Sequence, residues 1–110
     1  MSEDRIKKLN SLLLEETNEL ILEEVEFPED TLVTITSVET SKDLHYAKVF
    51  LSVLPPQNKE KVLKILKASN IQNLLFRKLT TKFIPKLQYY IDDTEEKAES
   101  IESLLDQLKH

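Results

Sequence analysis

Only two side chains in this sequence, His45 and the C-terminal His110, have an ordinary pKa suited to acid–base catalysis near neutrality. A nucleophile, base and acid set needs such a base held against a serine or cysteine. Cysteine is absent, which also excludes disulfides and thiolate metal sites. His45 falls beside the polar stretch Ser41-Lys42-Asp43, which reads as a turn, and an exposed structural role is expected of it. His110 is expected to fray. Glycine is absent too, so no Gly-rich phosphate cradle can form, and the acidic clusters lack the spaced ligands and turn glycine of a calcium loop. Asp43 suits a turn, where its carboxylate accepts from the backbone N–H groups that follow. Asp93 stands three residues before Glu96, the spacing of a helix capping box. No catalytic residue, metal site or cofactor is expected.

Binding through charge is the chemistry that remains. The chain of 110 residues carries a net charge of -5, but the charges are segregated. Between Lys59 and Lys86, eight basic residues stand against Glu60 alone, for +7, while the rest of the chain carries -12. Lysines and arginines on successive helices can follow a phosphate backbone, releasing a counterion for each phosphate neutralised. Lys61, Lys64, Lys67, Arg77, Lys78 and Lys82 are the expected contacts, with Ser69 and Asn70 as hydrogen-bonding groups between them. Phe50 and Tyr46, on one face of a strand, suit either base stacking or packing against cross-strand neighbours. The acidic remainder would repel RNA from the back of the molecule and orient its approach.

These residues need elements to hold them. Ile6, Leu9, Leu12, Leu13, Leu20 and Ile21 recur at helical spacing over residues 3–24, and Phe27-Pro28 ends that helix. Residues 31–40 are rich in β-branched side chains. Residues 44–53 alternate, with Ala47, Val49, Leu51 and Val53 on one face and Tyr46, Lys48 and Phe50 on the other, so a hairpin is expected. After Leu54-Pro55-Pro56, Asn58 is placed to cap a helix whose inner side carries Val62, Ile65 and Leu66. A second helical pattern, Ile71, Leu74, Leu75 and Leu79, runs to Phe83-Ile84-Pro85. Ala68-Ser69-Asn70 interrupts the two, because Ser and Asn are weak helix formers and Asn tolerates left-handed geometry. Leu87, Tyr89 and Ile91 alternate as a third strand, and Ala98, Ile101, Leu104, Leu105 and Leu108 form the stripe of a last helix.

The order is that of an α+β sandwich with a three-stranded sheet covered on one face. With 40% apolar residues the chain can bury one core. The expected organisation is a domain over residues 1–92 and a C-terminal helix over 93–110, part of that domain or appended to it. No run approaches the ~20 apolar residues that cross a bilayer, and Met1-Ser2-Glu3-Asp4 lacks the layout of a signal peptide. A cytoplasmic protein is expected.

Several motifs resemble the ribosome-binding factor A family across nearly the whole chain. Val33-Thr34-Ile35-Thr36-Ser37-Val38, then Thr40-Ser41-x-Asp43-Leu44-x-x-Ala47-x-Val49-x-x-Ser52, resembles the family's strand, turn and strand. Pro85-x-Leu87-x-Tyr89-x-x-Asp92 is similar to its proline-led strand, Ile101-x-x-Leu104-Leu105 to its closing helix, and Arg5-Ile6-x-x-Leu9 to its opening helix. The resemblance implies a type II K-homology-like αββααβ fold. Its helix is interrupted at Ala68-Ser69-Asn70, where the family has an alanine-x-glycine kink and asparagine here takes the glycine position. It also implies a bacterial ribosome assembly factor that binds the free small ribosomal subunit and its ribosomal RNA during late maturation and rRNA end processing. Cold adaptation and release by an assembly GTPase are implied in the same way, and a monomer is expected. Two other functions are compatible with the residues: a general single-strand RNA-binding K-homology module, disfavoured by the absence of Gly-x-x-Gly, and a protein–protein adaptor using the acidic first helix and the apolar last one.

Overall fold

The computed structural model describes residues 2–79 and 84–92. Helix α1 (Ser2–Glu24) contains no proline or glycine and is rich in Leu and Glu, so propensity lets it run long. Leu13, Thr17, Leu20 and Ile21 form its buried stripe, with Leu9 and Leu14 packed beside it. Phe27-Pro28 then turns the chain, and Asp30 takes a left-handed φ of 60° that a short polar side chain tolerates.

Strands β1 (Leu32–Thr40) and β2 (Tyr46–Leu54) form the expected antiparallel hairpin. Their register slips between Ile35 and Ser37, leaving Thr36 as the extra residue of a bulge. The bulge explains why the inward residues of β1 are Val33, Ile35 and then Val38, a spacing that breaks strict alternation. At the turn, the Leu44 N–H donates to the Ser41 carbonyl at 2.9 Å and the His45 N–H to the Asp43 carboxylate at 3.1 Å. This is the role expected of Asp43. Strand β3 (Lys86–Ile91) pairs in parallel with β2, giving the order β1-β2-β3.

Helix α2 (Lys59–Ala68) follows a 3-10 turn over Pro56–Asn58. Asn58 does not cap α2 with its side chain. The preceding turn sets its backbone at φ -91° and ψ 2°, and its Nδ2 donates instead to Thr31 Oγ1 at 2.8 Å, tying the helix start to the entry of β1. The expected interruption is present: Ser69 is extended, at φ -76° and ψ 165°, and α3 (Ile71–Lys78) begins afresh. Asn70 sits at φ -95° and ψ 20°, so the break does not use left-handed geometry and does not require glycine. Helix α3 is shorter than the apolar pattern implies, because Leu79 turns extended, at φ -92° and ψ 137°.

All three helices lie on one face of the sheet. Val62 and Leu66 of α2, Ile71 and Leu75 of α3, and the α1 stripe meet Ala47, Val49, Leu51, Val53 and Leu87 in one core. Each such leucine or isoleucine contributes about 1.5–3 kcal/mol of apolar burial. Helix α1 packs on β1 and α3, whereas α2 packs on β3 and β2. The observed order is helix, strand, strand, helix, helix, strand, an α+β fold consistent with the K-homology-like description. Among the described residues, no helix is long and apolar enough to cross a membrane. The last helix expected over residues 93–110, and Lys82, lie outside the described residues.

Candidate nucleic-acid interface

The helical phase set by Val62 and Leu66, buried at one side of α2, leaves Lys61, Lys64 and Lys67 exposed. Helix α2 rests on β2 and β3, whereas the acidic helix α1 packs on β1 and α3. Lys67 leads into an open groove of about 440 Å³ between the end of α2 and β3. Leu66, Lys67, Ser69 and Gln72 line one wall, and Lys86, Gln88 and Tyr90 contribute to the other. Ser69 is half-buried there, its Oγ donating to the Leu66 carbonyl at 2.6 Å and closing the last turn of α2. Its oxygen can still accept from a ribose hydroxyl.

A second groove, of about 520 Å³, lies across the helix break and is lined by Glu24, Glu26, Ser69 and Asn70. The break therefore has a basic flank and an acidic flank, and a polyanion is attracted to the first and repelled from the second. Asn70 is exposed, and its Oδ1 accepts from Asn73 Nδ2 at 2.7 Å. That contact stabilises the first turn of α3.

The structure divides the expected basic cluster. Arg77 is exposed on α3. Lys78 turns to α1, with Nζ 2.9 Å from Glu16 Oε2 and 3.2 Å from Glu19 Oε2. The bond to Glu16, more than that to Glu19, raises its pKa. Its charge is thus already balanced, because α3 packs beside α1.

Two groove residues, Lys86 and Gln72, were not among the expected contacts. Lys86 belongs to the basic stretch, but its position at the head of an edge strand emerges only with the sheet order. Gln72 closes part of that edge: Nε2 donates to the Pro85 carbonyl at 3.0 Å, and Oε1 accepts from the Leu87 N–H at 2.8 Å. Its carboxamide occupies the hydrogen-bonding positions that a fourth strand would take.

His45 is exposed, as expected, with Nδ1 3.3 Å from Asp43 Oδ2. Ser41 Oγ donates to Asp43 Oδ1 at 2.6 Å, not to the imidazole, so the trio is a turn device and not a nucleophile with its base. The Ser41 hydroxyl and then the His45 N–H hold the Asp43 carboxyl below its ordinary pKa. On the sheet face opposite the helices, Phe50 packs against Tyr90, ring centroids 5.8 Å apart, and Lys48 Nζ stands 5.8 Å from the Tyr90 ring.

Comparison with known proteins agrees with the resemblance drawn from the motifs. Residues 5–105 match the family model described as Ribosome-binding factor A. The chain is 39% identical to Ribosome-binding factor A of Chlamydia pneumoniae, with 96% of this chain and 92% of that protein covered. It is 34% identical to the protein of the same name from Thermodesulfovibrio yellowstonii, over 96% of this chain and 91% of the relative. The fold is similar to the crystal structure of ribosome-binding factor A from Thermus thermophilus, with a TM-score of 0.66 at 20% identity, over 78% of this chain and 93% of the other. On the family match and the curated relatives, this chain belongs to the ribosome-binding factor A family.

Proposed function

We propose that this chain is a non-enzymatic ribosome assembly factor that binds free small ribosomal subunits through their ribosomal RNA, during late maturation and processing of the RNA ends. The name carried by its relatives supports ribosome binding. The observation that supports an RNA contact is the row Lys61, Lys64 and Lys67 on α2, which runs into the groove bordered by Ser69 and Lys86. Residues 1–92 carry this contact as an RNA-binding domain. Asn70 and Arg77 extend it along α3, and Lys82 belongs to the same basic stretch. Lys78 contributes through α1 instead of through phosphate. A cytoplasmic monomer released from the subunit by an assembly GTPase, with a part in cold adaptation, completes the proposal.

A general single-strand RNA-binding K-homology module is the weaker alternative. Such modules bring backbone close to phosphate through Gly-x-x-Gly, and this chain has no glycine. Gln72 also occupies part of the β3 edge beside the groove.

The test is co-sedimentation of the purified protein with immature and mature free small subunits and with joined ribosomes, across a salt series. Binding to free subunits that weakens with salt and is absent from joined ribosomes is expected. Failure to bind any subunit at low salt overturns the proposal and favours a protein–protein adaptor.

A further inference from the structure

The two outward aromatics of β2 have different surroundings. Phe50 is half-buried and packs against Tyr90. Tyr46 is 47% exposed and borders an open pocket of about 520 Å³ lined by His45, Tyr46, Gln72, Ile84 and Lys86. That volume falls within the ~300–1,000 Å³ usual for ligand sites, and its open mouth suits a group that enters from the surface as part of a longer chain. The pocket adjoins the basic groove beside α2, since Gln72 and Lys86 line both. Tyr46 and Lys86 are register partners on paired strands, which lie about 4.8 Å apart, so the ring and the ammonium stand side by side. Gln72 is a wall of the pocket, its carboxamide already engaged by Pro85 and Leu87, and Ile84 adds an apolar wall.

The hairpin turn fixes this ring in advance. Ser41 grips Tyr46 at both backbone groups: the Ser41 N–H donates to the Tyr46 carbonyl at 2.8 Å, and Ser41 Oγ accepts from the Tyr46 N–H at 3.1 Å. The Lys86 N–H donates to the His45 carbonyl at 2.9 Å, which locks the start of β3 alongside. Between these contacts Leu44 takes a φ of 64°, left-handed geometry that is uncommon for a residue with a Cβ. Backbone of this kind persists where its surroundings over-determine it, and it recurs at ligand clamps. The acid of the turn, Asp43, directs its oxygens to Ser41 Oγ and to the His45 N–H and Nδ1.

We propose that this pocket seats an unpaired base of the RNA, stacked on the Tyr46 ring, with the phosphate of that nucleotide on Lys86 and the strand continuing into the groove beside Lys67. An aromatic ring accepts the face of any base, whereas a base inside a duplex already stacks on its neighbours, so the pocket selects single-stranded RNA. The base is held at the sheet and not at the helix break, so the site needs no Gly-x-x-Gly loop. The proposal rests on the RNA reading of the α2 lysines and adds to it the form of RNA that is bound.

The test gives the full-length protein two probes at low salt, a short oligouridylate and a blunt RNA duplex, and follows both by nuclear magnetic resonance and filter binding. The oligouridylate is expected to move the Tyr46 ring resonances to high field together with the amides of Lys64 and Lys67. The duplex is expected to move those amides and to leave the Tyr46 ring in place. Tyr46→Ala is expected to weaken oligouridylate binding about fivefold or more with the salt slope unchanged, because no phosphate contact is lost, and Tyr46→Phe, which restores a ring, to recover it. Protected Val49 and Leu51 amides show that the variant is folded, and where they are not protected the ring shift in the unsubstituted protein decides. Lysine amides that respond while the Tyr46 ring stays still, or equal affinity in folded Tyr46→Ala, overturn the base site and leave the RNA reading standing. A protein that binds neither probe also overturns the base site, and co-sedimentation with free subunits then shows whether the RNA reading falls with it.

Discussion

Lys78 is committed to Glu16: its Nζ lies 2.9 Å from the Glu16 carboxylate, across the packing of α3 on α1. Lys64 is exposed on α2, and no ion pair of comparable kind joins it among the described residues. The two lysines should therefore behave differently in RNA binding. Lys64→Ala is expected to weaken binding and to reduce the slope of log affinity against log salt by about 1. Lys78→Ala is expected to leave that slope unchanged and to lower the unfolding midpoint, because Glu16 and Glu19 lose their shared cation. Equal slope changes in filter binding across a salt series would show that Lys78 leaves α1 to meet phosphate.

Gln72 offers a separate test of how the groove is built. Its carboxamide answers both the Pro85 carbonyl and the Leu87 N–H. Gln72→Ala leaves both half-buried backbone groups without that partner, and a loss of about 1–3 kcal/mol is expected in urea unfolding. Amide exchange at Leu87 should accelerate in the same variant, with Val49 on the central strand unaffected. Unchanged exchange at Leu87 would mean that water replaces the side chain without cost.

The contrast between these residues shows what the sequence could and could not reveal. Alternation at Ala47, Val49, Leu51 and Val53 is a local property, and it identified the buried face of β2 directly. The weak helix formers Ser69 and Asn70 likewise located the break between α2 and α3. The spacing from Ile35 to Val38 held a signal for the bulge at Thr36, since two inward residues three apart cannot both fit regular alternation. The partners of Lys78 and Gln72 depend on which elements become neighbours, and periodicity within one segment carries no such information. The same holds for Lys86: its place on the groove follows from β3 lying at the sheet edge.

Tyr89 should make stability fall in alkali. Burial against the helices pushes its phenol up to about 12 from an ordinary value of 10.0. The unfolded chain thus loses the proton first as pH rises, and the folded state holds more protons between these two values. Stability is fully present below about pH 10 and declines as pH approaches 12, by up to about 2–3 kcal/mol. Denaturant unfolding of the protein and of Tyr89→Phe over this range should give curves that diverge, with the variant losing less. Parallel curves would assign the alkaline loss to other groups.

Asn70→Gly tests whether the helix break stores strain. Because the resemblance implies a glycine at this position, the expectation is that asparagine here is a compromise. The backbone at Asn70, φ -95° and ψ 20°, contradicts it, since this region is open to residues with a Cβ. Glycine would relieve nothing, would add freedom to the unfolded chain, and would remove the contact from Asn73 Nδ2. The variant is therefore expected to be less stable by about 0.5–1 kcal/mol. Its affinity for RNA should stay within about twofold if Lys61, Lys64 and Lys67 supply the attraction. A gain in stability on thermal unfolding would show that the break is strained. A large loss of RNA affinity with stability preserved would instead make the Asn70 side chain a principal RNA contact, and not the minor one proposed beside the lysines.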